Sequence, residues 1–183
     1  MQHTENPWIT LDSKEVYDNP WINLTEHNVI NPSGGKGIYG VVTFKNYATG
    51  IIPYDTEGNI WLVGQYRYAT NDYSWEIPEG GGALAIDPLE SAKRELLEET
   101  GLKAENWQLI QELHLSNSVT TEKALIYLAT GITEHEAEPE ETEQLTVKKV
   151  PFEEALNMVL SGEITDAMTV AAMYRLKLML ISK

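Results

Sequence analysis

The sequence predicts an α+β fold. Three observations carry that prediction: short runs of β-branched and aromatic residues divided by turn chemistry, one well-capped helix set among them, and two apolar-faced helical segments near the end. The runs at 38–45, 50–54 and 59–67 are rich in Val, Ile, Tyr and Trp, so each reads as a strand. Asp55-Thr-Glu-Gly-Asn59 is a turn signal that joins the last two. A helix then follows: Asp87 is a good N-cap, Pro88 suits the first helical position, Glu90 stands at capping-box spacing from Asp87, and Gly101 supplies the stop. Beyond it, 107–115, 124–129 and 145–151 read as strands and 152–160 and 166–180 as helices, the last with a long apolar face suited to closing a core. Residues 1–37 are less regular. Asn6-Pro-Trp-Ile-Thr10 recurs as Asn19-Pro-Trp-Ile-Asn23, too short to make a solenoid repeat, and 26–30 before Asn31-Pro-Ser-Gly-Gly-Lys-Gly37 suggests a strand entering a hairpin.

Composition narrows the function classes. A chain of 183 residues, 42% apolar, can bury one core, whereas two full domains would be tight. With no cysteine, neither disulfides nor thiolate ligands are available, so a metal would be held by oxygen or histidine. His3, His27, His114 and His135 are too scattered to suggest a histidine site, which leaves carboxylates and a hard cation such as Mg²⁺ or Mn²⁺. The net charge of −15 argues against a nucleic-acid partner, because backbone binding needs Lys and Arg to neutralise phosphates. No run approaches the ~20 apolar residues of a membrane span, and the first residues lack a signal-peptide pattern. A cytoplasmic location is expected.

The helix between Asp87 and Gly101 is where the chemistry concentrates. At about 100° per residue, Glu95, Glu98 and Glu99 share one arc with Ser91, while Leu89, Ala92 and Leu96 occupy the neighbouring arc facing a core. Three carboxylates within one turn repel each other, and they sit where the helix dipole also opposes them. A divalent cation removes that penalty. A solvated acidic face is the alternative for such a run of charge; the glycines at 80–82, just upstream, favour the metal.

Gly80, followed at fixed spacing by Arg94-Glu95-Leu96-Leu97-Glu98-Glu99-Thr100-Gly101-Leu102, resembles the signature of the Nudix hydrolases. One position departs from it: Ile86 stands where the first glutamate of that signature belongs. The resemblance implies a Nudix-type α/β/α sandwich over residues 38–183, with 1–37 as a small β-containing extension that forms a homodimer. It also implies that Glu95 and Glu99 are the main metal ligands, with Glu98 adding a ligand or acting on water and Arg94 holding the glutamates in place. Glu79 would offer its backbone carbonyl, and Glu122 resembles a further element near the metals.

Gln65-Tyr66-Arg67 and Trp75-Glu76-Ile77-Pro78-Glu79-Gly80 resemble the branch of that family acting on ADP-ribose and nucleotide sugars. By that resemblance Arg67 reaches phosphate or ribose, a task suited to a guanidinium fork, and Glu76 meets the substrate or completes the metal sphere. Trp8, Trp21 and Tyr17 are candidates for base stacking, with interface packing as the alternative. A glutamate of the acidic segment 138–143 would activate water, Glu141 and Glu143 matching best and Glu140 next. The reaction so implied is metal-assisted hydrolysis of a nucleoside diphosphate sugar, ADP-ribose or GDP-mannose first among them, to a nucleoside monophosphate and a sugar phosphate. Two other readings stay open: a degenerate domain that binds nucleotide without turnover, favoured by Ile86, and an interaction domain whose acidic helix is only surface.

Overall fold

A computed structural model describes residues 5–137 and 144–182. In chain order the elements are β1 (Ile9–Asp18), β2 (Ile22–Ile30), β3 (Lys36–Phe44), β4 (Asn46–Pro53), β5 (Asn59–Arg67), β6 (Asp72–Glu76), β7 (Glu79–Ala83), α1 (Pro88–Thr100), β8 (Leu102–His114), β9 (Lys123–Glu134), β10 (Thr146–Pro151), α2 (Phe152–Ser161) and α3 (Ala167–Ile181). They divide into two units, one made of the residues up to Asn46 with Ser116–Glu122, the other of Tyr47–Leu115 with Lys123–Lys183.

The second unit is built on two sheets, ordered β10-β5-β6 and β7-β4-β9-β8. β4 and β9 run parallel, joining Ala48–Pro53 to Ala124–Ala129 in register, while β8 and β9 are antiparallel. Strand alternation sorts the side chains into two cores. Ile52, Ile60, Leu62 and Ile126 pack with α2 and α3 through Phe152, Leu156, Met173 and Leu176. Their neighbours Ile51, Trp61, Leu125 and Tyr127 face the other way and pack with Ala92 and Leu96 of α1. Helices therefore cover both faces, the layered arrangement expected from the sequence, and α1 is anchored by its apolar arc with its acidic arc turned aside.

The first unit is a three-stranded antiparallel sheet, β1-β2-β3, edged by a bridge from Val42 to Thr120. Lys45 closes it, its ammonium 2.7 Å from Asp18 Oδ1 and its amide donating to Trp21 O at 2.9 Å. β1 is exposed along its whole length, and Val29 is the one fully buried apolar side chain of this sheet among the described residues. Exposed Ile9, Leu11, Val16, Tyr17, Trp21 and Ile38 give it an apolar surface unusual for a free sheet.

β1, β6 and β7 are additions to the sequence reading. β1 (Ile-Thr-Leu-Asp-Ser-Lys-Glu-Val-Tyr-Asp) breaks its alternation at two register shifts against β2, and β7 is Glu-Gly-Gly-Gly-Ala, with almost no side chains to carry a pattern.

Candidate active site

The site begins at the ends of α1. Asp87 Oδ1 accepts from Leu89 N–H at 2.9 Å, Pro88 fills the first helical position, and Gly101, at φ 69°, donates to Leu97 O at 2.9 Å. The capping box is not completed: Glu90 turns along the helix to Lys93 instead, at 2.8 Å. That three-residue ion pair offers Glu90 a full charge, where the backbone offers only an N–H. Ser91, on the same arc as the glutamates, is buried beside the Tyr47 hydroxyl, which donates to Ile86 O at 2.5 Å. Tyr47 thereby holds the loop in which Ile86 replaces a glutamate; the Ile86 side chain is exposed and takes no part in the acidic cluster.

Arg94 is the hub of that cluster. Its guanidinium reaches Glu95 Oε1 and Glu98 Oε2, both at 2.5 Å, and donates to Gly81 O at 3.1 Å, so helix and glycine strand are tied by one side chain. Gly80 lies so close to Glu95 that a Cβ there would collide with the carboxylate. Glu99 is buried and accepts from Glu79 N–H at 3.0 Å. Glu95 and Glu98 thus share one guanidinium while Glu99 meets the backbone of the glycine strand, and the absence of a side chain at Gly80 leaves room for the Glu95 carboxylate. An oxygen-rich, anionic donor set of this kind fits a hard divalent cation.

Arg67, at the end of β5, is held by a second group of carboxylates. Its Nε lies 3.0 Å from both Glu76 oxygens, its Nη2 pairs with Glu76 Oε2, and the same Nη2 lies 2.7 Å from Glu79 Oε1. The β5–β6 register places Val63 opposite Glu76 and Arg67 opposite Asp72, so it is the long Arg67 side chain that runs back along β6 to reach Glu76. Glu76 is almost fully buried and Glu79 nearly so. Besides the main-chain role expected of it, Glu79 thus pairs with Arg67 through its side chain. Burial, then the negative charges of Asp166 and Glu76, push the Glu79 carboxyl well above the usual carboxylate range despite Arg67 beside it. Asp166 is the residue that sequence reasoning missed. It caps α3, its Oδ2 accepting from Thr169 N–H at 2.7 Å, and Thr169 in turn accepts from Ile77 N–H at 3.0 Å, which fixes the segment between Glu76 and Glu79. The cap pattern Asp166-Ala-Met-Thr169 was legible, but not its neighbours.

The remaining candidates stand elsewhere in the chain. Trp21 and Tyr17 are exposed in the first unit; Trp8 packs edge-on against Tyr39 there, centroids 5.3 Å apart, in a cavity of about 260 Å³ with His27. Glu122 also belongs to that unit, its carboxyl raised by burial. Glu140, Glu141 and Glu143 lie outside the described residues.

A capped acidic helix behind a glycine strand, on mixed sheets covered by helices, defines a Nudix protein, and the chain belongs to that family. The NUDIX domain matches residues 45–171, and the nucleoside diphosphate sugar hydrolase N-terminal domain matches residues 8–42. An ADP-ribose pyrophosphatase of Mycobacterium tuberculosis (strain ATCC 25618 / H37Rv) is 34% identical over 171 residues, covering 91% of this chain and 82% of the relative. A GDP-mannose pyrophosphatase of Salmonella paratyphi B (strain ATCC BAA-1250 / SPB7) is 34% identical over 136 residues, 68% of this chain and 70% of the relative. The fold is shared with a crystal structure of an ADP compounds hydrolase at a TM-score of 0.87 and 19% identity, covering 99% of this chain and 98% of that one.

Proposed function

We propose that the protein is a metal-dependent pyrophosphohydrolase acting on nucleoside diphosphate sugars, with ADP-ribose and GDP-mannose the first substrates to test. The observation that carries this reading is the carboxylate cradle of α1 beside an anchored arginine: Glu95, Glu98 and Glu99 against Gly80, with Arg67 held by Glu76 and Glu79. Glu95 and Glu99, with Glu98 and the Glu79 carbonyl, would hold Mg²⁺ or Mn²⁺. When bound, such a cation shields the diphosphate and lowers the pKa of water.

The chain's own groups do the rest. The water oxygen bonds to one phosphorus as the bridging P–O bond breaks, leaving a nucleoside monophosphate and a sugar phosphate. Arg67 has its Nε and Nη2 committed to carboxylates, which fixes the plane of the guanidinium and directs Nη1 to a phosphate oxygen; positioning of this kind is much of catalysis in phosphoryl transfer. Arg94 keeps the glutamates apart at rest. A glutamate among Glu140, Glu141 and Glu143 takes the proton from water, with Glu98 the other acid positioned for that task, and Glu122 is a further carboxylate for the metals. Trp21 and Tyr17, on the exposed apolar sheet of residues 1–37 and its extension, serve a second copy of the chain or the base, and the working form is a cytoplasmic homodimer without nucleic acid.

The test is product analysis with purified protein, Mg²⁺ or Mn²⁺, and a panel of nucleotide sugars. Formation of a nucleoside monophosphate and a sugar phosphate in equal amounts is expected. Tight nucleotide binding with no such products would instead support the sensor reading that Ile86 favours.

A further inference from the structure

We propose that Glu76, Glu79 and Asp166 form a second cation site, for a single calcium-sized divalent ion, separate from the carboxylates of α1. Each of the three offers a carboxylate oxygen, and these atoms all lie within 4.8 Å of one another. A single ion with oxygen distances of about 2.4 Å, the range of Ca²⁺, bridges separations up to that limit.

Charge gives the same answer independently of geometry. Three carboxylates face one guanidinium, Arg67, so the group is short of positive charge in a place where Glu76 is almost sealed from solvent. One divalent ion completes the balance.

Glu79 shows where the ion goes. Its Oε1 is taken by Arg67, but its Oε2 is buried and accepts no hydrogen bond. Such an atom is costly unless something positive meets it. It belongs to a residue lining a cavity of about 510 Å³, whose walls also include Asp166, Asp72, Glu163 and the hydroxyl-bearing Ser74 and Thr165. Arg67 lines it too, but that guanidinium is paired with Glu76 and Glu79; the other charged groups of the lining are carboxylates, and its hydroxyls and open volume leave room for the waters that complete a calcium shell. The ion's consequence for the site is fixation of Arg67: with Glu76 and Glu79 drawn toward the cation, the guanidinium they hold keeps its orientation.

Calcium titration calorimetry on the full-length protein carrying Glu95→Gln and Glu99→Gln tests the site without the α1 set. One bound Ca²⁺ per chain is expected. Adding Glu79→Gln, which keeps the size and an acceptor for Arg67, should weaken that binding by at least about tenfold, and so should Asp166→Asn, since Asn caps a helix as well as Asp. Terbium luminescence sensitised by Tyr73, which lines the cavity, and by Trp75, 5.7 Å from it, should fall in parallel, with circular dichroism showing each variant folded. Absence of Ca²⁺ uptake in the double variant, or uptake indifferent to both Glu79→Gln and Asp166→Asn, overturns the site. Neither result bears on hydrolysis, which the product assay decides separately.

Discussion

Glu99 and Glu95 differ in what surrounds them, and the difference sets how each should fail. Glu99 is buried against the backbone of Glu79, whereas Glu95 shares Arg94 with Glu98. Replacing either by Gln keeps the shape and removes the charge needed for a cation. Each variant should remain folded and lose about 100-fold or more in kcat/KM on the best nucleotide sugar, measured with saturating Mg²⁺. Glu98→Gln should lose less, because Glu98 is the most exposed of the three. Retention of full activity by Glu99→Gln would remove α1 from the mechanism. The Ile86 side chain faces outward, and its carbonyl accepts from the Tyr47 hydroxyl.

At the scale of elements, α1 and the β4–β5 turn carry separable predictions. Asp87→Ala removes the one side-chain cap seen at the N-terminus of α1 and should cost about 1 kcal/mol in urea denaturation, with the metal ligands untouched in sequence. Asp55 organises the turn. Its Oδ1 accepts from the N–H groups of Glu57 and Asn59, and Oδ2 lies 2.8 Å from the Lys149 ammonium on β10. Burial alone would raise its carboxyl, but Lys149, the Asn59 amide and those N–H groups outweigh it and hold the carboxyl well below the usual range. A carboxyl depressed in the folded state binds fewer protons there than in the unfolded chain, so its contribution is complete above the unfolded pKa of about 3.9 and is lost as pH falls below it. Thermal melts should therefore show Asp55→Asn destabilised relative to wild type at pH near neutral, with the gap narrowing in acid below about pH 4. A gap constant over that range would mean that Asp55 acts through shape alone.

For the whole molecule, the first unit raises the question of what its sheet is for. A three-stranded sheet with one fully buried apolar side chain among its described residues gains little from its own core. The proposed homodimer supplies the missing burial. Light scattering should give twice the 20.6 kDa chain mass, and Val16→Glu with Tyr17→Lys, both on exposed β1, should shift it to the monomer. A wild-type monomer at micromolar concentration would leave the sheet without that explanation.

The sequence by itself determined the helix, its caps and its chemistry, because these are local: Asp87, Pro88 and Gly101 act within a few residues, and a 100° step places Glu95, Glu98 and Glu99 together without reference to anything else. It also determined most strands, including β5 over Asn59–Arg67, where alternation and turn signals agree. Only the tertiary structure decided what Glu79 and Asp166 do. Glu79 sits in a strand of glycines and Asp166 caps a helix 87 positions away, so no periodicity links them. They meet because Thr169 of α3 binds Ile77 N–H and Arg67 folds back from β5. Long-range pairing of this kind leaves no local trace, and charge in a buried place acquires its meaning only from the neighbours that surround it.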